Sequence, residues 1–291
     1  MIERKPQWKV MAVMVLYHPD LNLLRQNLEA IAPQVDKVFL IDNTPDSERE
    51  KPSFLNKNVS YIAMHGNMGI AAAQNEGIRN ALAEGAEMIY FLDQDSISPA
   101  DIIHRLSDLY QKLSTKGIKV GALGALPINR ATGQSYIPTS DSSEGIEGIT
   151  EVNELISSGS MIPAKVLKET GGMMEELFID GVDHEWCWRA ASIGGYRFFI
   201  DNNSPLSHQL GSGDRRMLWK KVAMPSPVRT YYLYRNIFLL GKKKYVPKGF
   251  KIKNSVKLAL KIFYYPLFIS PRKEYAKNIF RGIKDGLKSL K

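Results

Sequence analysis

The chain has 291 residues, 44% hydrophobic and 24% charged, which suits one large soluble domain, alone or with an appendage. A single cysteine, Cys187, excludes an internal disulfide and fits a reducing cytoplasm, and no run approaches the ~20 apolar residues of a spanning helix. The net charge of +9 is split, because residues 242–291 hold 15 Lys and Arg against Glu274 and Asp285, while the remainder holds 24 basic and 28 acidic residues.

The opening MIERKPQWKV carries charge and a proline but no apolar core, so no secretory leader is expected. WKVMAVMVL (8–16) reads as a buried strand, and LNLLRQNLEAIAPQ (21–34) as a helix with Leu21, Leu24, Leu28 and Ile31 on one face. VDKVFLID (35–42) and VSYIAM (59–64) read as strands, AAAQNEGIRNALAEG (71–85) as a helix, and AEMIYFLD (86–93) as a fourth strand. Strands alternating with helices through short connections imply right-handed crossovers and a mainly parallel α/β sheet. Residues 127–150 are polar and loop-like; a strand-like stretch follows at 152–163 and a short helix at 164–170.

Ligands of such sheets lie at the C-terminal strand ends. Those ends read LYHPD, IDNTP, MHGN and LDQDS, and Asp42 and Asp93 each terminate an apolar strand. Asp93 and Asp95 place two oxygen donors on one turn, a set that suits Mg²⁺ or Mn²⁺ bridging substrate phosphates. The competing reading makes Asp95 or Ser96 the N-cap of a helix over 99–113. FIDGVDHEWCWRA (178–190) adds Asp180, Asp183 and Glu185. Asp183 falls in the first turn of a helix, where a carboxylate acts as a general base or merely answers the helix dipole. His208 is either a metal ligand or structural. GNMGIAAAQNEGI (66–78) lacks G-x-G-x-x-G, which disfavours a dinucleotide dehydrogenase. In it Asn67 is placed to cap the helix and Gly69 to allow the close approach of a ligand. Arg229, Tyr232, Arg235 and Asn236 share one helical face, where the arginines clamp a diphosphate or stand in solvent. Trp186 and Trp188 serve as platforms for a ligand or as core, and Cys187 is expected buried and inert.

In this order, LYHPD, IDNTP, GNMGIAAAQNEGI, FLDQDS, SSGSMIP (157–163), FIDGVDHEWCWRA, SHQLG (207–211) and RTYYLYRN (229–236) resemble the family 2 glycosyltransferases of the GT-A fold. The resemblance covers residues 8–240, and its LDQDS and FID-x-VD-x-EWC-x-RA forms look most like the rhamnosyltransferase branch, whose donor is dTDP-L-rhamnose. It implies a nucleotide-sugar-binding part (1–126), an acceptor and catalytic part (127–240) and a basic helical extension (241–291). It implies an inverting transfer with Asp183 as base, Asp95 and His208 on the metal, and Asp42 on the pyrimidine. On the donor side it further places Tyr17, Asn67, Gly69, Asn75, Asp93, Arg229 and Arg235. Ser158, Gly159, Glu185 and Trp186 fall on the acceptor side. A UDP-hexose or UDP-galactofuranose donor, or a non-catalytic nucleotide-sugar or membrane scaffold, are the alternatives.

In the tail, residues 273, 277, 281, 284 and 288 are all basic and form one stripe beside Ala276, Ile279, Phe280, Ile283, Leu287 and Leu290. Lys253, Lys257 and Lys261 repeat the pattern beside Val256, Leu260, Phe263 and Leu267. Such helices suit an anionic membrane surface, here the inner face of the cell membrane, where a lipid-linked saccharide acceptor is expected. No nucleic-acid motif accompanies the charge.

Overall fold

The computed structural model describes residues 8–129, 132–208, 214–217, 220–223 and 225–290. The first half alternates as the apolar periodicity predicts: β1 (Val10–Leu16), α1 (Leu21–Ile31), β2 (Lys37–Asp42), β3 (Val59–Ala63), α2 (Ile70–Ala83), β4 (Met88–Asp93) and α3 (Ile102–Thr115). Next come β5 (Val120–Asn129), the short hairpin β6 (Ser142–Ser143) and β7 (Ile146–Glu147), β8 (Ile149–Val152), β9 (Ser160–Pro163) and α4 (Ala164–Thr170). The chain continues through α5 (Val182–Gly194), β10 (Arg197–His208), a separate ribbon of β11 (Asp214–Met217) and β12 (Lys220–Ala223), and three helices, α6 (Pro227–Lys242), α7 (Lys248–Phe268) and α8 (Arg272–Lys288).

Eight strands form one sheet in the order β3-β2-β1-β4-β9-β5-β10-β8. β1 pairs in parallel with β2 and β4, β2 with β3, and β10 with β5, whereas β9 and β8 run antiparallel to their neighbours. This is the mostly parallel α/β sheet expected, completed by two reversed strands. Both faces are covered. One buries Met11, Val13, Phe39, Phe91, Trp186 and Phe198, and the other buries Met14, Leu16, Leu24, Leu40, Tyr90 and Leu106. Strands buried on both sides read as continuous apolar runs, which is why β1, β2 and β4 were legible.

Two segments differ from expectation. β5 was unrecognised, since Gly121 and Gly124 dilute its apolar pattern. Gly121 faces Phe198 and Tyr196, and Gly124 faces Leu155, too closely for a Cβ (2.7 and 2.8 Å to the nearest ring and methyl carbons). The single strand expected over 152–163 is two, β8 and β9, on different neighbours. The C-terminal helices share a small core of Tyr234, Leu258, Tyr265, Ile269, Tyr275 and Ile279, so α6 packs as part of the helical unit. No helix among the described residues is long and apolar enough to cross a membrane.

Candidate active site

Register brings the key strand ends together: Leu16 of β1 lies beside Asp42 of β2, and Val15 beside Asp93 of β4. The β4 exit is held from three sides. Asn27 Nδ2 donates to the Asp93 carbonyl (2.9 Å), Asp93 N donates to Ser158 Oγ (3.0 Å), and Ser96 N closes a turn on the Asp93 carbonyl (3.2 Å). Gln94, between the two aspartates, clamps β1 through both amide atoms: Tyr17 N donates to Oε1 (2.8 Å) and Nε2 donates to the Tyr17 carbonyl (3.1 Å). The turn bearing Asp93 and Asp95 is therefore fixed to both neighbouring strands, as a site built on rigid elements requires.

Asp95 is not the cap of the next helix. α3 begins at Ile102, and its N-cap residue is Asp101. The half-buried Asp93 carboxyl is pushed up to about 7, first by burial, then by the charges of Asp95 and Asp183. Three carboxylates from two parts of the chain thus converge. Asp183 stands half-buried in the first turn of α5, behind Gly181, whose left-handed backbone (φ +84°) begins the helix.

The loop before α5 is held in an uncommon conformation. Phe178 and Asp180 both have positive φ (64° and 66°). Such backbone persists where surroundings over-determine it, and α6 supplies them. Asn236 Nδ2 donates to the carbonyls of Leu177 (2.9 Å), Ile179 (2.7 Å) and Asp180 (3.1 Å). Arg229 grips Asp180 through Nε and Nη2 (2.8 and 2.6 Å), and Arg235 donates to the Leu177 carbonyl (3.0 Å). The Tyr232 ring stacks on Phe178 at 4.4 Å. From the other side, Ile70 N of α2 donates to the Phe178 carbonyl (2.8 Å).

Sorted by exposure, the predicted residues fall into two groups. Tyr17, Asn67 and Arg229 are exposed, and Asp93, Asp95 and Asp183 half-buried. The others are structural. Asp42 is fully buried, its carboxylate accepting from Thr44 N (2.8 Å) and the Tyr61 hydroxyl, so it shapes its turn. Asn75 bonds Met173 N and O and Glu175, tying α2 to the segment before α5 rather than meeting a donor. Gly69 approaches Phe178, not a donor: a Cβ there would lie 2.6 Å from the ring. Asn67 accepts from Gly69 N (3.1 Å) one residue ahead of the helix, while the Phe178 carbonyl does the capping. Arg235 holds the 176–180 loop instead of a diphosphate.

On the acceptor side, buried Ser158 supports Asp93, and Gly159 (φ +81°) links Phe91 to Ala125 through its backbone. Glu185 is fully buried and accepts from Arg189 (2.8 Å) and Tyr245 (2.5 Å). Trp186 is core, donating to the Gly171 carbonyl at 3.1 Å. Cys187 is buried as expected, its thiol pushed up by burial. His208 ends β10 opposite Asn129, and its side chain and residues 209–211 of its motif lie outside the described residues. Asn27 and Gln94 were missed. The available signals were a polar residue on the apolar stripe of α1 and the amide between two aspartates.

The donor set fits a hard divalent cation. The observation is the oxygen-rich turn of Asp93 and Asp95, with Asp183 near enough to raise the Asp93 carboxyl, since carboxylate oxygens are the ligands such an ion takes. Among the described residues no group of three His, Cys, Asp or Glu side chains is arranged to hold an ion alone. An ion here needs ligand oxygens from substrate or water, as Mg²⁺ sites commonly do.

Residues 12–153 match the sequence model described as Glycosyl transferase family 2. The chain is 32% identical over 294 residues to the dTDP-rhamnosyl transferase RfbF of Shigella flexneri, covering 97% of this chain and 96% of that one. Among solved structures, TarS 1–349 of S. aureus in complex with UDP-GlcNAc aligns at a TM-score of 0.56 and 14% identity, over 97% of this chain and 82% of that one. The chain spans about half (49%) of a longer TarS structure, at a TM-score of 0.55. GalNAc-T7 with UDP, GalNAc and Mn²⁺ aligns at 0.56 and 13% identity, over 89% and 57%. At these identities the structures share the fold.

Proposed function

The chain belongs to glycosyltransferase family 2, and from that premise we propose that it transfers L-rhamnose from dTDP-L-rhamnose to a saccharide hydroxyl, with inversion, in bacterial surface polysaccharide assembly. The donor rests on the likeness to a dTDP-rhamnosyl transferase along nearly the whole chain. The chemistry rests on one observation, the convergence of Asp183 on Asp93 and Asp95 at the C-terminal end of the sheet.

In this reading Asp95 and Asp93 hold a divalent cation, Mg²⁺ or Mn²⁺, with His208 as a further ligand. Such an ion offsets the charge developing on the departing diphosphate. Asp183 accepts the proton of the acceptor hydroxyl. That oxygen bonds to the anomeric carbon from the face opposite the leaving group, and the old C–O bonding pair departs with dTDP. One base opposite the leaving group gives direct displacement. The rigid α5 start keeps Asp183 aimed, and the exposed Tyr17, Asn67 and Arg229 rim the donor cleft. The C-terminal helices hold the enzyme on the inner, anionic face of the membrane, beside a lipid-linked acceptor.

The test is nucleoside diphosphate release from dTDP-L-rhamnose and from UDP-sugars, with Mg²⁺ or Mn²⁺ and with chelator, using mixed lipid-linked acceptors. Chelator-sensitive turnover of dTDP-L-rhamnose alone is expected. Asp183→Asn is expected to lower kcat by about 10²–10⁴-fold while dTDP binding persists. Turnover of a UDP-sugar instead would keep the chemistry and overturn the donor. Full activity in Asp183→Asn would overturn the base.

A further inference from the structure

α7 is apolar on the wrong side for a helix in water. Toward α6 and α8 it buries Leu258, Tyr265 and Ile269. On its outward side Ile252, Val256, Leu260, Phe263 and Leu267 are 66, 56, 71, 71 and 57% exposed. Their spacing of four, four, three and four residues makes one continuous stripe. A contiguous exposed stripe of this kind marks a contact surface. Lys253, Lys257 and Lys261 run along one border of it.

Between that lysine row and α6 opens a groove of about 230 Å³. Its walls are apolar, with Leu233, Ile237 and Leu240 from α6 and Phe250 and Leu258 from α7. It reaches Asp180, Gly181 and His184, the turn that starts the helix bearing Asp183. Lys257 and Lys261 line it, and neither joins an ion pair among the described residues. Burial holds both ammonium groups below their ordinary value, and for Lys257 the charges of Lys261 and Lys253 add to this. Two partly desolvated cations beside an apolar channel match an anion that carries a hydrocarbon chain.

We propose that the α6–α7 groove is a lipid-phosphate site. The phosphate rests on Lys257 and Lys261, the first part of the chain lies between α6 and α7, and the outward stripe of α7 sits in the lipid surface that supplies the ligand. The groove's purpose, delivery of a lipid-borne acceptor to Asp183, rests on the transferase reading. Its ligand chemistry stands without it.

The probe is dodecyl phosphate below its micellar concentration, titrated calorimetrically into the full chain, with dodecanol, inorganic phosphate and dTDP titrated separately. Dodecyl phosphate is expected to bind at least tenfold more tightly than either dodecanol or phosphate. Lys257→Ala/Lys261→Ala and the groove-filling Ile237→Trp are each expected to weaken it at least tenfold and to leave dTDP binding unchanged. Absent dodecyl phosphate binding, or binding unchanged in both variants, would overturn the site. Inorganic phosphate binding as tightly would reduce it to a bare anion site and overturn the lipid assignment. Dodecyl phosphate binding by the parent chain, lost in the variants, without dTDP binding by the parent would support the groove and overturn the donor reading instead.

Discussion

Gly69 shows how a single residue links two distant parts of the chain. Its backbone lies at φ +86°, and a Cβ would meet both the ring and the carbonyl of Phe178. Gly69→Ala is expected to destabilise the protein by about 1–2 kcal/mol from the left-handed backbone alone, and to slow transfer because Phe178 must move. A melting curve together with kcat checks both, and an unchanged kcat would show that the Phe178 loop does not position Asp183. The residue scale is also where the sequence was least readable. Tyr17, Asp93, Asp95 and Asp183 stood out as candidates because they sit at or just past the end of an apolar strand or open a helix. Asn75, Glu185 and Trp186 looked like ligand-binding groups but are structural. The partners that engage them include Met173, 98 residues from Asn75, and Tyr245, 60 from Glu185, and nothing local to a motif reveals such pairings.

At the scale of elements, α6 is the splint of the loop that leads into α5. The sequence showed its Arg229, Tyr232, Arg235 and Asn236 on one face, yet the targets of Arg235 and Asn236 were hidden because carbonyls carry no sequence signature. Asn236→Ala takes a donor from three carbonyls, of which Leu177's keeps Arg235, at a cost of about 1–3 kcal/mol. Its kcat is expected to fall with dTDP affinity retained, measurable by melting and by turnover. A second tie joins α3 to β10, where Arg105 donates to Asp201 from Nε (2.8 Å) and Nη2 (3.1 Å). Burial alone would raise the Asp201 carboxyl, but hydrogen bonds from Arg105, Ser204 and Asn203 N bring it below its ordinary value. The folded pKa is depressed, so this contribution is complete above the unfolded value near pH 4 and is lost as pH falls through the folded value. Asp201→Asn is therefore expected to lower Tm at pH 7 and to converge with the parent below about pH 4. A gap that persists into acid would show that packing, not ionisation, is responsible. β5 stayed unseen for a related reason: the contacts that demand its glycines come from β10 and the β8–β9 connection.

Across the whole molecule, charge and apolarity are segregated. The basic surplus lies in the last 50 residues, which also carry the exposed stripe of α7. Lysines near an anionic surface contribute about 1 kcal/mol each and are screened within about 10 Å at 0.1 M salt. Co-sedimentation with phosphatidylglycerol vesicles is expected to weaken from about 50 mM to about 500 mM salt. Leu260→Ser/Phe263→Ser is expected to weaken binding at every salt concentration while keeping the slope. Equal binding by that variant would move the contact from α7 to the basic face of α8. The alternating architecture of the sheet was readable from end to end in its first half. The helical unit was readable as amphipathic, but which apolar side faced inward was decided by packing against α6.

The amino terminus of a helix such as α2 is a ready-made site for an anion. Here the Phe178 carbonyl already occupies it. The same peptide segment leads into the helix that carries Asp183. A mutational path that freed those amides for an anion would loosen the start of α5 at the same step, and one that re-aimed Asp183 would uncap α2. The two helix starts are therefore tied through one carbonyl, and drift in either is constrained by the other.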